Sequence, residues 1–311
     1  MNTSNTEAYK LPVDAVWLIT GCSSGLGKSL ALLVNSNPSH RLVSTARQAG
    51  SLSSIPDSPN VLKLNLDVTS ESSINGAVAA ALEKFGRIDV LVNNAGYSVM
   101  GDTESTTEEQ ARRVVETDFW GTSKLIVHAM RVMREENPKT GQKGGVVMNV
   151  TSAGGFIGFP GSAYYNASKF AVEGFTESVS REVRPEWNIH FCLIEPGGIA
   201  TNFAGASLVR STPHPSYSAP DTPTRIFEGY ILNTDNQKTW SSPQSVAAAM
   251  YEVVSRGQRI PIRVPLGPDS WGLIKEEIKQ VDKDLDELKD LSERVGNAKQ
   301  FRSIQFIRKD K

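Results

Sequence analysis

Cysteine is scarce: two residues, Cys22 and Cys192, in a chain of 311. Cys22 falls in a glycine-rich turn and Cys192 in an apolar run that reads as a strand, so no disulfide framework is expected. No apolar stretch approaches the ~18 residues of a spanning helix, so no membrane span is expected. The N-terminus, Met1-Asn-Thr-Ser-Asn-Thr-Glu, is polar and lacks a basic region followed by an apolar run. No secretory signal is read there, and a cytoplasmic location is expected. The four histidines, His40, His128, His190 and His214, are scattered without ligand spacing, so no metal site is expected. Nor is one sign of charge in excess. Lys and Arg number 33 and Asp and Glu 34, a net charge of -1, which argues against a nucleic-acid or anionic-membrane partner. With 39% hydrophobic and 22% charged residues the composition is that of a soluble globular protein. The length suits one large α/β domain with additions.

Apolar runs alternate with helical patterns from Ala15 to Ile194. Ala15–Thr20, Arg41–Ala46, Val61–Thr69, Ile88–Asn93, Gly145–Val150 and Ile189–Ile194 read as strands. Ser70–Phe85, Glu108–Glu135 and the segment from Ser162 read as helices. This alternation predicts a parallel, doubly wound sheet flanked by helices. Residues 202–240 break the pattern. They are rich in Pro, Ser, Thr and Gly, carry Phe203, Leu208, Tyr217, Phe227, Tyr230 and Ile231, and are expected to form a long irregular lid. A helix from Pro243 and a short strand over Ile260–Val264 follow. Leu273–Val295 places Ile274, Ile278, Val281, Leu285, Leu288 and Leu291 on one stripe, an amphipathic helix suited to dock on its own domain or a partner. The basic tail from Arg302 is expected to fray. One domain thus accounts for 1–311, with its core over about 12–268, the lid over about 202–240 and the C-terminal extension over about 271–297.

Two local patterns carry chemistry. Gly21-Cys-Ser-Ser-Gly25-Leu26-Gly27 stands between the first strand and its helix. Glycines there permit a tight turn and let backbone N–H groups at a helix N-terminus approach a pyrophosphate. The second strand ends in Ala46-Arg47, where an Asp or Glu would accept from an NAD ribose hydroxyl. Arg47 instead offers a donor fork for a 2′-phosphate, and Ser23 and Ser24 add hydroxyls, which favours NADP (NADPH) over NAD. Tyr165 and Lys169 lie four apart, on one helical face. A lysine cation beside a phenol favours the phenolate and draws its pKa from about 10 toward the working range. That makes a general acid/base for alcohol/ketone interconversion.

The ordered set Thr20-Gly21-Cys-Ser-Ser-Gly25-Leu-Gly27, Asp67, Asn93-Asn94-Ala95-Gly96, Ser152, Tyr165-Asn-Ala-Ser-Lys169 and Pro196-Gly197-Gly-Ile199-Ala-Thr201 resembles the short-chain dehydrogenase/reductase family over roughly Val16 to Pro268. Within it, the chain is similar to the NADP-linked branch that includes hydroxysteroid and retinol dehydrogenases. The resemblance implies a Rossmann-type fold and a homodimer or homotetramer formed through the fourth and fifth helices. It implies that Tyr165 exchanges the proton, Ser152 holds the substrate oxygen, and Lys169 bonds the nicotinamide ribose. Asp67 and Val68 would lie at the adenine, Asn94, Ala95 and Gly96 along the cofactor groove, and Pro196, Gly197, Ile199 and Thr201 around the carboxamide. One position departs. Where the family has Asn supporting a proton-relay water, Thr117-Asp118-Phe-Trp-Gly121 supplies Asp118. A carboxylate there can hold the water but raises the Lys169 pKa and weakens its effect on Tyr165. The expected function is NADP-dependent interconversion of a carbonyl and a secondary alcohol on a medium to large apolar small-molecule substrate. Non-redox chemistry such as cyclisation, isomerisation or elimination stays open as the alternative, as does nucleotide sensing without turnover.

Overall fold

The computed structural model describes residues 7–201, 205 and 207–307. The polar start 1–6, Phe203 of the expected lid and the end of the basic tail, 308–311, lie outside the described residues. In chain order the first half runs β1 (Val16–Ile19), α1 (Gly25–Ser36), β2 (Arg41–Ala46), β3 (Val61–Asn65), α2 (Glu71–Phe85), β4 (Val90–Asn93), β5 (Ser98–Met100), α3 (Glu108–Val115) and α4 (Thr122–Arg131). The second half runs β6 (Gly145–Val150), α5 (Ala163–Glu182), β7 (Ile189–Pro196), β8 (Leu208–Arg210), α6 (Pro223–Leu232), α7 (Thr234–Gln237), α8 (Pro243–Ser255), β9 (Arg263–Leu266), α9 (Pro268–Glu287), α10 (Lys289–Arg294) and α11 (Ala298–Ile304).

Seven strands pair in parallel in the order β3-β2-β1-β4-β6-β7-β9. Every residue of β1 and β7 is buried, because helices cover both faces and each strand must be apolar throughout. One face packs Leu30 and Val34 of α1 and Val246 and Met250 of α8 against the sheet. The other packs Ile74 and Val78 of α2, Leu125 of α4 and Val179 of α5. Local signals set the ends of α2: the Ser70 hydroxyl accepts from the Ser73 N–H, and Gly86 closes the helix at φ 75°, a left-handed conformation open to glycine. The strand order reverses between β1 and β4, so their carboxyl ends diverge into a crevice where open α/β sheets bind ligands.

Five expectations change. The helical stretch 108–135 is interrupted by a π-helical segment, Glu116–Gly121, and a second one, Val132–Glu136, follows α4. The lid is ordered in part, with β8 pairing to the three-residue β5 in a small second sheet and α6 beyond it. Pairing of this kind joins residues more than a hundred positions apart and leaves no local periodicity. The last strand begins at Arg263, where it pairs with Leu193 of β7. In the C-terminal extension only Ile274 of the apolar stripe is buried, while Ile278, Val281, Leu285, Leu288 and Leu291 are exposed. The stripe is amphipathic, yet α9 leaves the body after its second turn, and Arg302 lies within α11 rather than in a frayed tail.

Phe191 is fully buried at the middle of β7. Phe191→Ala is expected to destabilise the fold by about 3–5 kcal/mol, read as a lower denaturation midpoint in urea with an unchanged slope.

Candidate active site

Tyr165 and Lys169 stand on successive turns of α5. The Lys169 ammonium lies 5.5 Å from the Tyr165 ring centre and donates to the Val150 carbonyl at 3.3 Å. Ser152 follows β6, where its Oγ accepts from the Gly154 N–H at 3.0 Å, and its hydroxyl bonds the Tyr165 phenol. Tyr165 keeps part of its surface open, whereas Lys169 is buried. The π-helical segment before α4 carries Asp118 to the same point. Its carboxylate reaches Lys169 Nζ at 3.1 Å with both side chains buried, in ion-pair contact without an aligned hydrogen bond at Oδ2. Its other oxygen accepts from the Tyr97 N–H at 3.1 Å. A side chain on Gly96 would approach Asp118 Oδ1 to 3.1 Å, so the bare backbone there admits the carboxylate. π-Bulges widen a helix and recur at functional sites. Here the bulge lets one residue leave the helix face and turn inward.

Lys169, Asp118 and Tyr165 titrate as a set. Burial pushes the Lys169 ammonium down, but Asp118 and then Tyr165 outweigh it and hold the amine above its ordinary range. Burial lifts the Asp118 carboxyl, only partly offset by Lys169 and the Tyr97 N–H. Burial also lifts the Tyr165 phenol; Lys169 pulls it down, Asp118 pushes it up, and the Ser152 bond lowers it, with the balance above an ordinary tyrosine. The lysine acts in the expected direction, yet it does not bring the phenol down by itself, because Asp118 and the dry surroundings oppose it.

At the crevice, Thr20 Oγ1 accepts from the Asn94 and Ala95 N–H groups, both at 2.9 Å. The Asn94 amide donates to the Thr20 carbonyl at 2.9 Å and the Gly21 carbonyl at 3.2 Å. Asn94 therefore staples the glycine turn to the exit of β4. Gly21 sits at φ 71°, and a Cβ there would come within 3.0 Å of Ala95. Ser24 precedes α1 without a side-chain cap, and no acidic residue occupies the first turn, so the helix N-terminus keeps the N–H groups and field that suit a phosphate. Ser23 and Ser24 are exposed beside it, while the Leu26 side chain packs in the core. A cavity of about 280 Å³ opens between Gly25, Lys28, Ala200 and Thr201. These features fit a dinucleotide. Ala46 is buried, Arg47 is exposed beside it, and Arg47 lies near enough to Asp67 to help hold its carboxyl below the ordinary range, behind two bonds from Thr69. Val68 packs against Gly121, under the Asp118 segment. Pro196 is buried at the end of β7, and Ile199 bridges to Ser241.

Several contributors carry no local signal. Asp269 at the start of α9 accepts from the Gly198 N–H at 2.7 Å, and Ser270 donates to the Glu195 carbonyl at 2.7 Å. The C-terminal helix thereby fixes the β7 exit from about seventy residues away. Behind Lys169, Arg263 of β9 pairs with Glu173 and Glu177 of α5 and Glu195 of β7. Burial and the Glu195 charge lift the Glu173 carboxyl to about 8. The segment expected to form the lid is clasped by Arg225 of α6, which bonds buried Asp102 at 3.1 Å and Glu228 at 2.7 Å, while Glu228 also holds Arg210 of β8 at 2.5 Å.

The described residues contain no group of three or more His, Cys, Asp or Glu side chains placed to hold a metal ion, and no described helix is long and apolar enough to cross a membrane. The sequence model for short chain dehydrogenases matches residues 15–209. An oxidoreductase of Penicillium decumbens, calM, is 44% identical over 296 residues, 94% of this chain and 96% of that protein. Retinol dehydrogenase 8 of Bos taurus is 31% identical over 257 residues, 79% of each chain. The crystal structure of a short-chain dehydrogenase from Streptomyces avermitilis superposes with a TM-score of 0.79 at 30% identity, covering 91% of this chain and 98% of its own.

Two outcomes test the electrostatics. Asp118→Asn removes the charge that disfavours the phenolate, so the Tyr165 phenolate is expected at lower pH, seen as a ultraviolet titration step that Tyr165→Phe abolishes; Asp118→Ala, which strands a buried ammonium, should cost about 3–5 kcal/mol. The raised Glu173 carboxyl contributes stability that is complete below its unfolded value of about 4.3 and lost as pH rises toward about 8. Glu173→Gln should therefore gain on the wild type across that window, measured by urea denaturation at several pH values.

Proposed function

The chain belongs to the short-chain dehydrogenase family of oxidoreductases, and from that premise we propose that it interconverts a carbonyl and a secondary alcohol on a medium to large apolar substrate, using NADP. The observation that carries this reading is the meeting of Ser152, Tyr165 and Lys169 at the carboxyl ends of β6 and β4, beside the crevice. The same cluster favours redox turnover over the non-redox alternative, since each member has a task in moving one proton to or from an oxygen. When bound, the nicotinamide supplies and accepts the hydride.

The chain's own groups do the rest. The Ser152 hydroxyl donates to the substrate oxygen as negative charge develops there. Tyr165, with its phenol held up and so protonated at neutral pH, gives its proton to that oxygen in reduction and takes it back in oxidation. Lys169 stays an ammonium under the influence of Asp118. It bonds the ribose hydroxyls and offsets charge on Tyr165 once the proton has left. Asp118, an acceptor at the inner end of this chain, holds the relay to solvent in place of the family's Asn. Gly21 to Gly27 and the start of α1 take the pyrophosphate, with Asn94 and Gly96 along the groove. Arg47 takes the 2′-phosphate, since buried Ala46 offers no carboxylate to a 2′-hydroxyl. Ile199 and Thr201 orient the carboxamide. Trp120, Val127 and Phe170 are exposed on or beside α4 and α5, which supports assembly of a homodimer or homotetramer through these helices.

Titration by quenching of tryptophan fluorescence is expected to show NADPH binding at least about tenfold tighter than NADH, a difference of ~1.4 kcal/mol, and Arg47→Ala should abolish that preference. Tyr165→Phe should still bind NADPH and lose roughly 100-fold or more in kcat. Equal binding of the two nucleotides would overturn the NADP assignment, and retained turnover in Tyr165→Phe would overturn the proton-transfer role.

A further inference from the structure

Four aromatic rings form a continuous ladder across the lid. Phe159 stacks on Phe227 with centroids 5.2 Å apart and planes 6° from parallel. Phe227 stacks on Tyr230 at 6.3 Å and 22°, and Tyr230 meets Trp240 at 6.3 Å and 45°. The two ends of the ladder are anchored on opposite sides of the site. Phe159 lies just past Ser152, near enough to Gly154 that a Cβ there would come within 3.5 Å of its ring. Its carbonyl is held at 3.1 Å by Asn166, the neighbour of Tyr165 on α5. Trp240 lies on Gly198 at the exit of β7, so close that a Cβ on that glycine would sit 2.7 Å from the indole. The ladder thus runs from the residues that hold the substrate oxygen to the strand exit that orients the nicotinamide.

The rings are neither core nor loose surface. Phe159, Phe227 and Trp240 are half-buried and Tyr230 is exposed. The middle of the ladder is held still, because Arg225 ties α6 to buried Asp102, Glu228 ties it to Arg210 of β8, and Thr224 packs against Gly161. Trp240 Nε1 is buried without a hydrogen-bond partner among the described residues. Indole N–H groups usually find a partner when buried, and the described residues supply none here, which leaves this end of the ladder able to donate to a polar group. Three stacked rings with a fourth tilted by 45° offer offset-stacked and edge-to-face contacts to another flat π-system, and they offer a globular aliphatic molecule only area.

We propose that the Phe159–Phe227–Tyr230–Trp240 ladder is the recognition wall of the substrate cleft and selects a flat, conjugated polycyclic carbonyl or alcohol over a globular one of similar size. This rests on the reading of Ser152 and Tyr165 as the reacting pair. Flatness is set by the rings, and reactivity by the pair, so the two can fail separately.

The test uses the full chain and two vicinal diketones, flat 9,10-phenanthrenequinone and globular camphorquinone, with NADPH consumption as the readout. The wild type is expected to prefer the flat diketone at least tenfold in kcat/KM. Phe227→Leu keeps apolar bulk and is expected to reduce that preference at least fivefold, through a KM that rises more for the flat diketone than for camphorquinone, with NADPH binding as the check on folding. A Phe227→Leu variant that slows both diketones equally, or leaves the ratio intact, would show that the ladder only packs the lid. A second measurement needs no turnover: flat 9-fluorenone is titrated into NADPH-bound Tyr165→Phe, with and without Phe227→Leu, by calorimetry. Fluorenone binding that Phe227→Leu weakens at least fivefold supports the wall even if no carbonyl consumes NADPH, in which case only the redox reading falls. Fluorenone that does not bind while NADPH does, or binds equally with Phe227→Leu, overturns the wall and leaves the redox reading standing.

Discussion

A buried ammonium holds the site together. Lys169 lies under α5 with Asp118 at 3.1 Å and the Val150 carbonyl at 3.3 Å, and a charge so placed is tolerated only where opposite charge and acceptors surround it. Much of the neighbouring architecture meets that requirement. The π-helical segment turns Asp118 inward, Gly96 leaves room for its carboxylate, and Gly121 lets the segment close on Val68. The same pair sets the protonation of Tyr165, because the phenol feels both the cation that favours its anion and the carboxylate that opposes it. A carboxylate at position 118 therefore changes the balance of the whole cluster rather than one hydrogen bond.

Around that centre, the sheet supplies position at low cost in specific contacts. The reversal of strand order between β1 and β4 leaves an open crevice, and Thr20 joins its two sides through one hydroxyl that serves two backbone donors. Asn94, whose type suggests ligand contact, spends its amide on the turn. Its contribution to the groove is rigidity. The β7 exit is fixed in a similar way by Asp269 and Ser270 of the C-terminal helix, so the extension supports the site before it departs from the body.

The segment that carries β8 and α6 combines paired charges on one face with partly open rings on the other. Arg225, Asp102 and Glu228 pair with little exposure on one side of α6, while the rings on the other side remain partly open. Buried ion pairs are weak sources of stability, but Asp102 lies outside the segment, so its pairing with Arg225 fixes where α6 sits. Here they place the rings of a segment whose composition alone reads as irregular.

The sequence by itself determined the elements whose cause is local: apolar strands covered on both faces, the Ser70 and Gly86 ends of α2, the glycine turn before α1, and the common helical face of Tyr165 and Lys169. Each depends on residues within a few positions of one another, so spacing and residue type suffice. Only the tertiary structure decided what depends on distant contact: the inward turn of Asp118, the raised phenol, the pairing of β5 with β8, the Arg263 carboxylate cluster, the clasp on α6 and the hold of Asp269 on Gly198. Burial and opposing charge are properties of neighbours in space, and the chain brings those neighbours from 20 to more than 100 residues apart, beyond the reach of any local pattern.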